Sequence, residues 1–544
     1  MSSCRRILCV FPRYARSFGT LHHAYPLMPR VRAFMPPQGL LLIAASLPPG
    51  WEVRFVDENR QPATDEDFLW ADAVFVSGMH VQRDRIADVN ERAHRFGKIT
   101  VLGGPSVSAA PEWYPDFDIL HIGEMGDATR ALYARLGDSA ERPAEQIRLT
   151  TAERTPLSDF PTPAYHLIEI QSYFLASVQF SSGCPYRCEF CDIPELYGRN
   201  PRLKTPEQVC RELDAIFAAG PPGCVYFVDD NFIGNPKAAL NLLPHLVAWQ
   251  RRTGYRLRFA CEATLNIAQN RKVLELMREA FFHTVFIGIE TPDPEALHGM
   301  VKDQNLRMPI LEAVEILNSY GMEVVSGIIL GLDQDTDSTA DDILAFIEAS
   351  KIPMLTINLL YALPKTPLWR RLEKEGRLLS DGAGGGESNV RFLLPREAVR
   401  RSWLTCVTQA NAPEPLYRRF QHQIERTYPN RFDPGPLRKV EAGDVANGLK
   451  ILGRILWRVG VRSDYRKTFW RMARPALKSG NIEAVIHAGL VGHHLIRFAR
   501  DCEAGVGEYS FYSEKGSKAP GRGAPAGQTA AAGHGSERAI SELI

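Results

Sequence analysis

Three cysteines, Cys184, Cys188 and Cys191, stand in one short run, Ser-Ser-Gly-Cys184-Pro-Tyr-Arg-Cys188-Glu-Phe190-Cys191-Asp, just past an apolar segment that reads as a strand. This C-x3-C-x2-C spacing supplies three thiolates, the soft ligands of iron–sulfur clusters, where a cubane takes four. One iron then stays open to another ligand. A zinc site would need a second pair of cysteines or histidines at matching spacing, and none follows. A disulfide within the triad would leave an odd thiol, and nothing else in the chain reads as secreted.

Composition sets the outer bounds. A chain of 544 residues is expected to form two or three domains. Its 64 basic and 63 acidic residues leave a formal charge of +1, so no strong field argues for a nucleic-acid partner. Cys4, Cys9, Cys210, Cys224, Cys261, Cys406 and Cys502 have no ligand-like spacing and read as small buried hydrophobes in a reducing cytoplasm. No run reaches the roughly 20 apolar residues of a membrane span.

Residues 1–140 read as a β/α repeat. Strands are expected at Ile7–Phe11, Glu52–Val56, Ala73–Val76, Ile99–Leu102 and Ile119–Ile122, with glycine-bearing loops at Ser77-Gly78 and Gly103-Gly104. That pattern predicts a doubly wound parallel sheet with a large ligand at its mouth. The loop after the first strand, Pro12 to Gly19, lacks G-x-G-x-x-G, which disfavours a dinucleotide. His22, His23 and His80 show no ligand spacing and read as pocket or surface residues. Residues 141–172, rich in Pro and Thr, are expected to be a connector.

From 173 to 380 the pattern is strand then helix, six times, with strands at Phe174–Phe180, Val225–Val228, Leu257–Cys261, Thr284–Ile289, Glu323–Leu330 and Leu355–Leu360. Six units predict an open partial (β/α)6 barrel, with functional residues at the strand C-terminal ends. Asp229, Asp230, Glu262 and Glu290 occupy such ends. Turn and helix-cap roles are the alternatives for Asp229 and Glu290. Residues 381–514 read as mainly α, opening with a loop at 381–388, and 515–544 as a disordered tail.

The cysteine spacing, with Phe190 before the third Cys, resembles the signature of the radical S-adenosylmethionine (SAM) superfamily. The resemblance implies a 4Fe-4S cluster on the triad, SAM chelating its open iron, and Phe190 beside the adenine. It assigns the SAM amino, carboxylate and ribose groups to Asp229, Asp230, Glu262 and Glu290. Gly327 and Gly331 match the start of the family's G-x-I-x-G-x-x-E element and would adjoin the adenosine; Gln334 replaces its final Glu, so that position's role does not carry over. The first domain resembles the cobalamin-binding domain of one class of this superfamily. Ser77, Gly78, Gly103 and Gly104 match the loops that face the corrin, while the D-x-H-x-x-G motif is absent. Ordinary turn chemistry is the alternative for these glycines.

Segments Val31–Leu40, Phe55–Asn59, Ser77–His80, Ser181–Tyr197, Tyr226–Phe232 and Asn358–Pro367 are similar to those of bacterial hopanoid C-2 methylases. This implies methyl transfer from SAM through methylcobalamin to an unactivated carbon, C-2 of a hopanoid, with an electron from a donor such as flavodoxin or ferredoxin. The motifs equally suit a cobalamin-dependent radical enzyme that methylates, oxidises or cyclises another lipid, an antibiotic or a tetrapyrrole. A cobalamin-sensing module without catalysis is the second alternative. The chemistry rests on cofactors, and no Ser/His/Asp or paired-carboxylate constellation stands out. The C-terminal helices are expected to cap the barrel mouth, with peripheral contact at the inner membrane face as the alternative.

Overall fold

The computed structural model describes residues 5–220, 223–379 and 387–505. Cys4, most of the expected loop at 381–388 and the expected tail at 515–544 lie outside the described residues.

The first sheet has six parallel strands in the order β2-β1-β3-β4-β5-β6. They are β1 (Arg6–Phe11), β2 (Glu52–Asp57), β3 (Ala73–Ser77), β4 (Ile99–Gly103), β5 (Ile119–Ile122) and β6 (Ile147–Thr150). Alternation along β1 explains why both faces are covered. Leu8 and Val10 join Phe68, Ile86 and Val89 on one side, and Ile7, Cys9 and Phe11 join Leu40, Leu132 and Leu136 on the other. Burial pushes the Cys9 thiol up to about 12, as suits a packing residue. The strand order reverses between β1 and β3, and the crevice above their C-terminal ends is where such sheets bind ligands. β6 falls inside the segment read as a connector; the expected linker therefore supplies the edge strand of this sheet.

The second sheet runs β7-β10-β11-β12-β13-β14, all parallel. Its strands are β7 (Ala176–Val178), β10 (Cys224–Phe227), β11 (Arg258–Ala263), β12 (Phe282–Glu290), β13 (Glu323–Leu330) and β14 (Met354–Leu359). No ladder joins β7 to β14 among the described residues, so the barrel is open. A short antiparallel ribbon, β8 (Ser181–Ser182) with β9 (Arg202–Leu203), holds the ends of the cysteine loop together.

Five helices follow the barrel: Arg396–Ala410, Pro413–His422, Ala442–Arg458, Arg466–Lys478 and Ile482–Glu503. The first packs on the barrel, its Trp403 indole donating to the Ile357 carbonyl at 2.8 Å. The others build a second core around Tyr417, Phe420, Ile455, Phe469 and Leu495, into which Leu21, Ala24, Leu27 and Met28 insert. No helix among the described residues is long and apolar enough to cross a membrane.

Candidate active site

The cysteine loop begins at a backbone position that favours glycine. Gly183 has φ +100°, and a Cβ there would lie 2.8 Å from the Gly198 carbonyl. The chain turns into Cys184, whose amide donates to that same carbonyl at 3.2 Å, and the Cys191 amide donates to Cys188 at 3.1 Å. All three thiols are free and partly accessible. Burial raises the pKa of Cys184 and, more strongly, of Cys191, so loading a metal must displace protons. Among the described residues, His22, His23 and Asp501 bring three ligand atoms within 4.8 Å of one another. Three thiolates on one loop, with no fourth ligand in the motif, suit a cluster rather than a single zinc ion.

Phe190 turns toward the barrel end, where it packs with Met300, Leu360 and Ala362. Lys302 lies 5.3 Å above its ring. The segment Val301–Leu306 was not anticipated from sequence, yet it lines the loop: the Gln304 amide lies 3.3 Å from Cys188 Sγ, and Lys302 is ion-paired with buried Glu290. No local spacing announces these residues; tertiary structure brings them in.

The acidic strand ends divide by role. Asp229 accepts from the backbone amides of Phe180 and Ser181, fastening β10 to the start of the ribbon. Each oxygen thus takes one backbone donor and keeps a lone pair for another. Asp230 accepts from the Gly183 amide at 2.7 Å, and Glu262 from the Tyr226 hydroxyl at 3.3 Å. Burial lifts Asp229 and Glu262 to about 7, with repulsion from Asp230 adding to it, and lifts Asp230 to about 6, with repulsion from Glu124 and Asp192 adding to it. The pocket therefore holds buried carboxylates whose charges a cationic ligand would relieve.

Glu290 sits at φ +67° where the β12–β13 register shifts, and its carboxylate is engaged by Lys302. A Cβ on Gly327 would lie 3.5 Å from Glu290 Oε2, in ordinary contact. Gly331 has φ +89°, and a Cβ there would meet the Phe392 ring at 2.4 Å.

In the first sheet, Ser77 and Gly104 meet across the mouth. Gly104 has φ +97° and a Cβ there would come within 2.5 Å of Ser77 Oγ; one on Gly78 would come within 2.8 Å of Ile86. A Cβ on Gly103 would meet His121, its Cβ 3.9 Å away, in ordinary contact. Met79 is 41% exposed on the same rim. The exposed Met79 rim beside these glycine loops fits a bulky group above this sheet. Gln82, fully buried, donates to the Pro12 carbonyl and accepts from the Met79 amide, tying the β1 and β3 loops.

The two mouths touch. Glu124, just past β5, pairs with Arg202 and Arg154 and accepts from Ser182 Oγ at 3.1 Å. His80 Nε2 lies 3.7 Å from the carboxylate of Asp192, the residue after Cys191. A separate cavity of about 1440 Å³ opens beside the β1 and β2 loops, and Tyr14 in its wall contacts Met79. Arg13, Arg16, Arg32 and Arg60 face Arg458, Arg462, Arg497 and Arg500 across it. Tyr14, Tyr25, Phe34 and Trp457 supply apolar surface in the same lining. His22, His23 and Asp501 meet near it, with His23 Nε2 2.7 Å from Asp501, but burial and the nearby Arg16 disfavour positive charge there.

A parallel partial barrel with three free thiols on its rim, behind a doubly wound sheet, defines a radical SAM protein. The radical SAM superfamily model matches residues 178–347, and a model described as a domain of unknown function (DUF4070) matches residues 366–507. The chain is 57% identical to the hopanoid C-2 methylase of Rhodopseudomonas palustris (strain TIE-1), over 94% of this chain and 96% of that one. It therefore belongs to the hopanoid C-2 methylase family. It is also 27% identical to the hopanoid C-3 methylase of Methylococcus capsulatus, over 64% of this chain and 71% of that one. The fold resembles the cobalamin-dependent SAM radical enzyme OxsB (TM-score 0.57, 15% identity, 92% of this chain and 81% of the other). It equally resembles the methyltransferase TsrM from Kitasatospora setae (TM-score 0.57, 16% identity, 88% and 100%).

Proposed function

We propose that this chain is a cobalamin-dependent radical SAM methylase that places a methyl group on C-2 of a hopanoid, using a reductant such as flavodoxin or ferredoxin. The observation that carries the substrate is the 57% identity to a hopanoid C-2 methylase along nearly the whole length of both chains. Support for two cofactors comes from the contact between the mouths, through Glu124 with Arg202 and His80 with Asp192. When bound, the cluster with SAM supplies a hydrogen-abstracting deoxyadenosyl radical, and the corrin supplies a transferable methyl group.

The chain's own residues bind and orient. Cys184, Cys188 and Cys191 hold three irons as thiolates. Asp230 and Glu262 present negative charge suited to the SAM ammonium, while Asp229 keeps the strand end in place. Phe190, with Met300, Leu360 and Ala362, walls off water on the adenine side. Gly327 leaves room beside Glu290, and the Gln304 amide steadies Cys188. Ser77, Gly78, Gly103 and Gly104, at the ends of β3 and β4 and in the loops after them, would present backbone to the corrin.

The test is anaerobically reconstituted protein given methyl-labelled SAM, a reductant and a hopanoid. Labelled 2-methylhopanoid is expected; SAM cleavage without a methylated hopanoid would overturn the assignment. Cys184→Ala, Cys188→Ala and Cys191→Ala should each lose bound iron and sulfide, and retention of a full cluster by any of them would remove the triad from its role.

A further inference from the structure

The helix Ala442–Arg458 leaves part of its apolar surface uncovered. Ile455 is buried in the C-terminal core, with Ile451, Leu452 and Leu456 packed beside it. At steps of four residues, Val445, Leu449, Gly453 and Trp457 form a line down another face, and Val461 follows in the turn just past the helix. The four large residues along it are 48%, 55%, 60% and 51% exposed. Beside it runs a second line at the same spacing, Lys450, Arg454, Arg458 and Arg462, all exposed. No acidic residue occurs between Asp444 and Asp464, and both of these are held by arginines, Arg256 and Arg500. Arg462 also leans on the Trp457 ring, and Trp457, Arg458 and Arg462 all reach the rim of the arginine-lined cavity.

We infer that this face docks on an anionic lipid bilayer, lying in the interface rather than crossing it. An apolar ridge sinks among the acyl chains while the adjacent basic ridge meets headgroup phosphates, the arrangement of an interfacial amphipathic helix. Tryptophan suits the boundary, since its ring is apolar and its N–H stays hydrated. A protein partner would more readily explain alternating charges than a ridge of one sign. The inference leans on the proposed function for one point only, that the substrate resides in the membrane.

Co-sedimentation of the full, cofactor-loaded chain with vesicles tests it. Binding to phosphatidylglycerol-rich vesicles and weak binding to phosphatidylcholine alone are expected. Val445→Glu with Leu449→Glu should weaken vesicle binding about tenfold or more, and Lys450→Glu with Arg454→Glu similarly, because each removes one ridge. Both double variants should still methylate detergent-dispersed substrate, which reports that they fold. Wild-type protein that ignores anionic vesicles, or a Val445/Leu449 variant that binds as wild type does, overturns the inference. A dimer in solution that this variant dissociates would assign the face to a second copy and overturn it too. Vesicle binding without any methylated hopanoid would instead sink the proposed function and leave the docking face standing.

Discussion

Glu262 shows how a buried carboxylate costs the chain stability. Burial lifts its carboxyl to about 7, with Asp230 and Asp229 adding repulsion. A folded-state pKa above the unfolded value means that stability from this group is full below about pH 4 and is lost as pH rises through about 7. The cofactor-free chain should therefore melt lower at pH 8 than at pH 6. Glu262→Gln should flatten that dependence and raise the pH 8 melting temperature by about 2 °C, while weakening SAM binding. Thermal melts at both pH values, with SAM titration of the reconstituted variant, check the pair; an unchanged pH 8 melt would refute the account. The strand-end positions of Glu262 and Asp230 were legible in the sequence because the β/α repeat shows where each strand stops. Asp229 sits at the same kind of position, yet its carboxylate turns back to the Phe180 and Ser181 amides, and no pattern separates those two fates.

At the scale of elements, the segment after β12 binds the barrel end to the cysteine loop through one buried pair. Removing one partner of such a pair leaves a stranded charge. Lys302→Met should destabilise the chain by about 3 kcal/mol, and adding Glu290→Gln should recover much of it. Urea midpoints of both variants measure this; a single variant as stable as wild type would show the pair to be idle. Strands were easy to read from sequence where apolar runs end at glycine or an acidic residue, as in Glu323–Leu330. β6 was hidden because Ile147-Arg-Leu-Thr150 is four residues at a sheet edge among prolines and threonines. The ion pair was hidden for another reason: the backbone bulge at Glu290, with φ +67°, re-aims the side chain in a way spacing does not record.

For the whole molecule, the question is what holds two cofactor mouths in register. Apolar packing of Ala33, Leu41 and Phe55 against the barrel core joins the two domains, and polar contacts at the boundary add direction. Tyr173 donates to buried Asp57 at 2.9 Å on one side, and Glu124 gathers Arg202, Arg154 and Ser182 on the other. Sequence reading saw Gly123-Glu124 only as the end of a strand, since its partners lie 30 to 78 residues away. If Glu124 aligns the mouths, Glu124→Ala should leave iron content and SAM cleavage near wild type, because the cysteine loop and barrel pocket are intact. Methyl transfer should fall about tenfold or more, since small misplacement between reacting groups is expensive. The readout is the ratio of 5′-deoxyadenosine to methylated product, which should rise in the variant. Equal loss of both products would mean that Glu124 merely supports the loop, and an unchanged ratio at full activity would mean that Tyr173 and Asp57 suffice to hold the two domains in register.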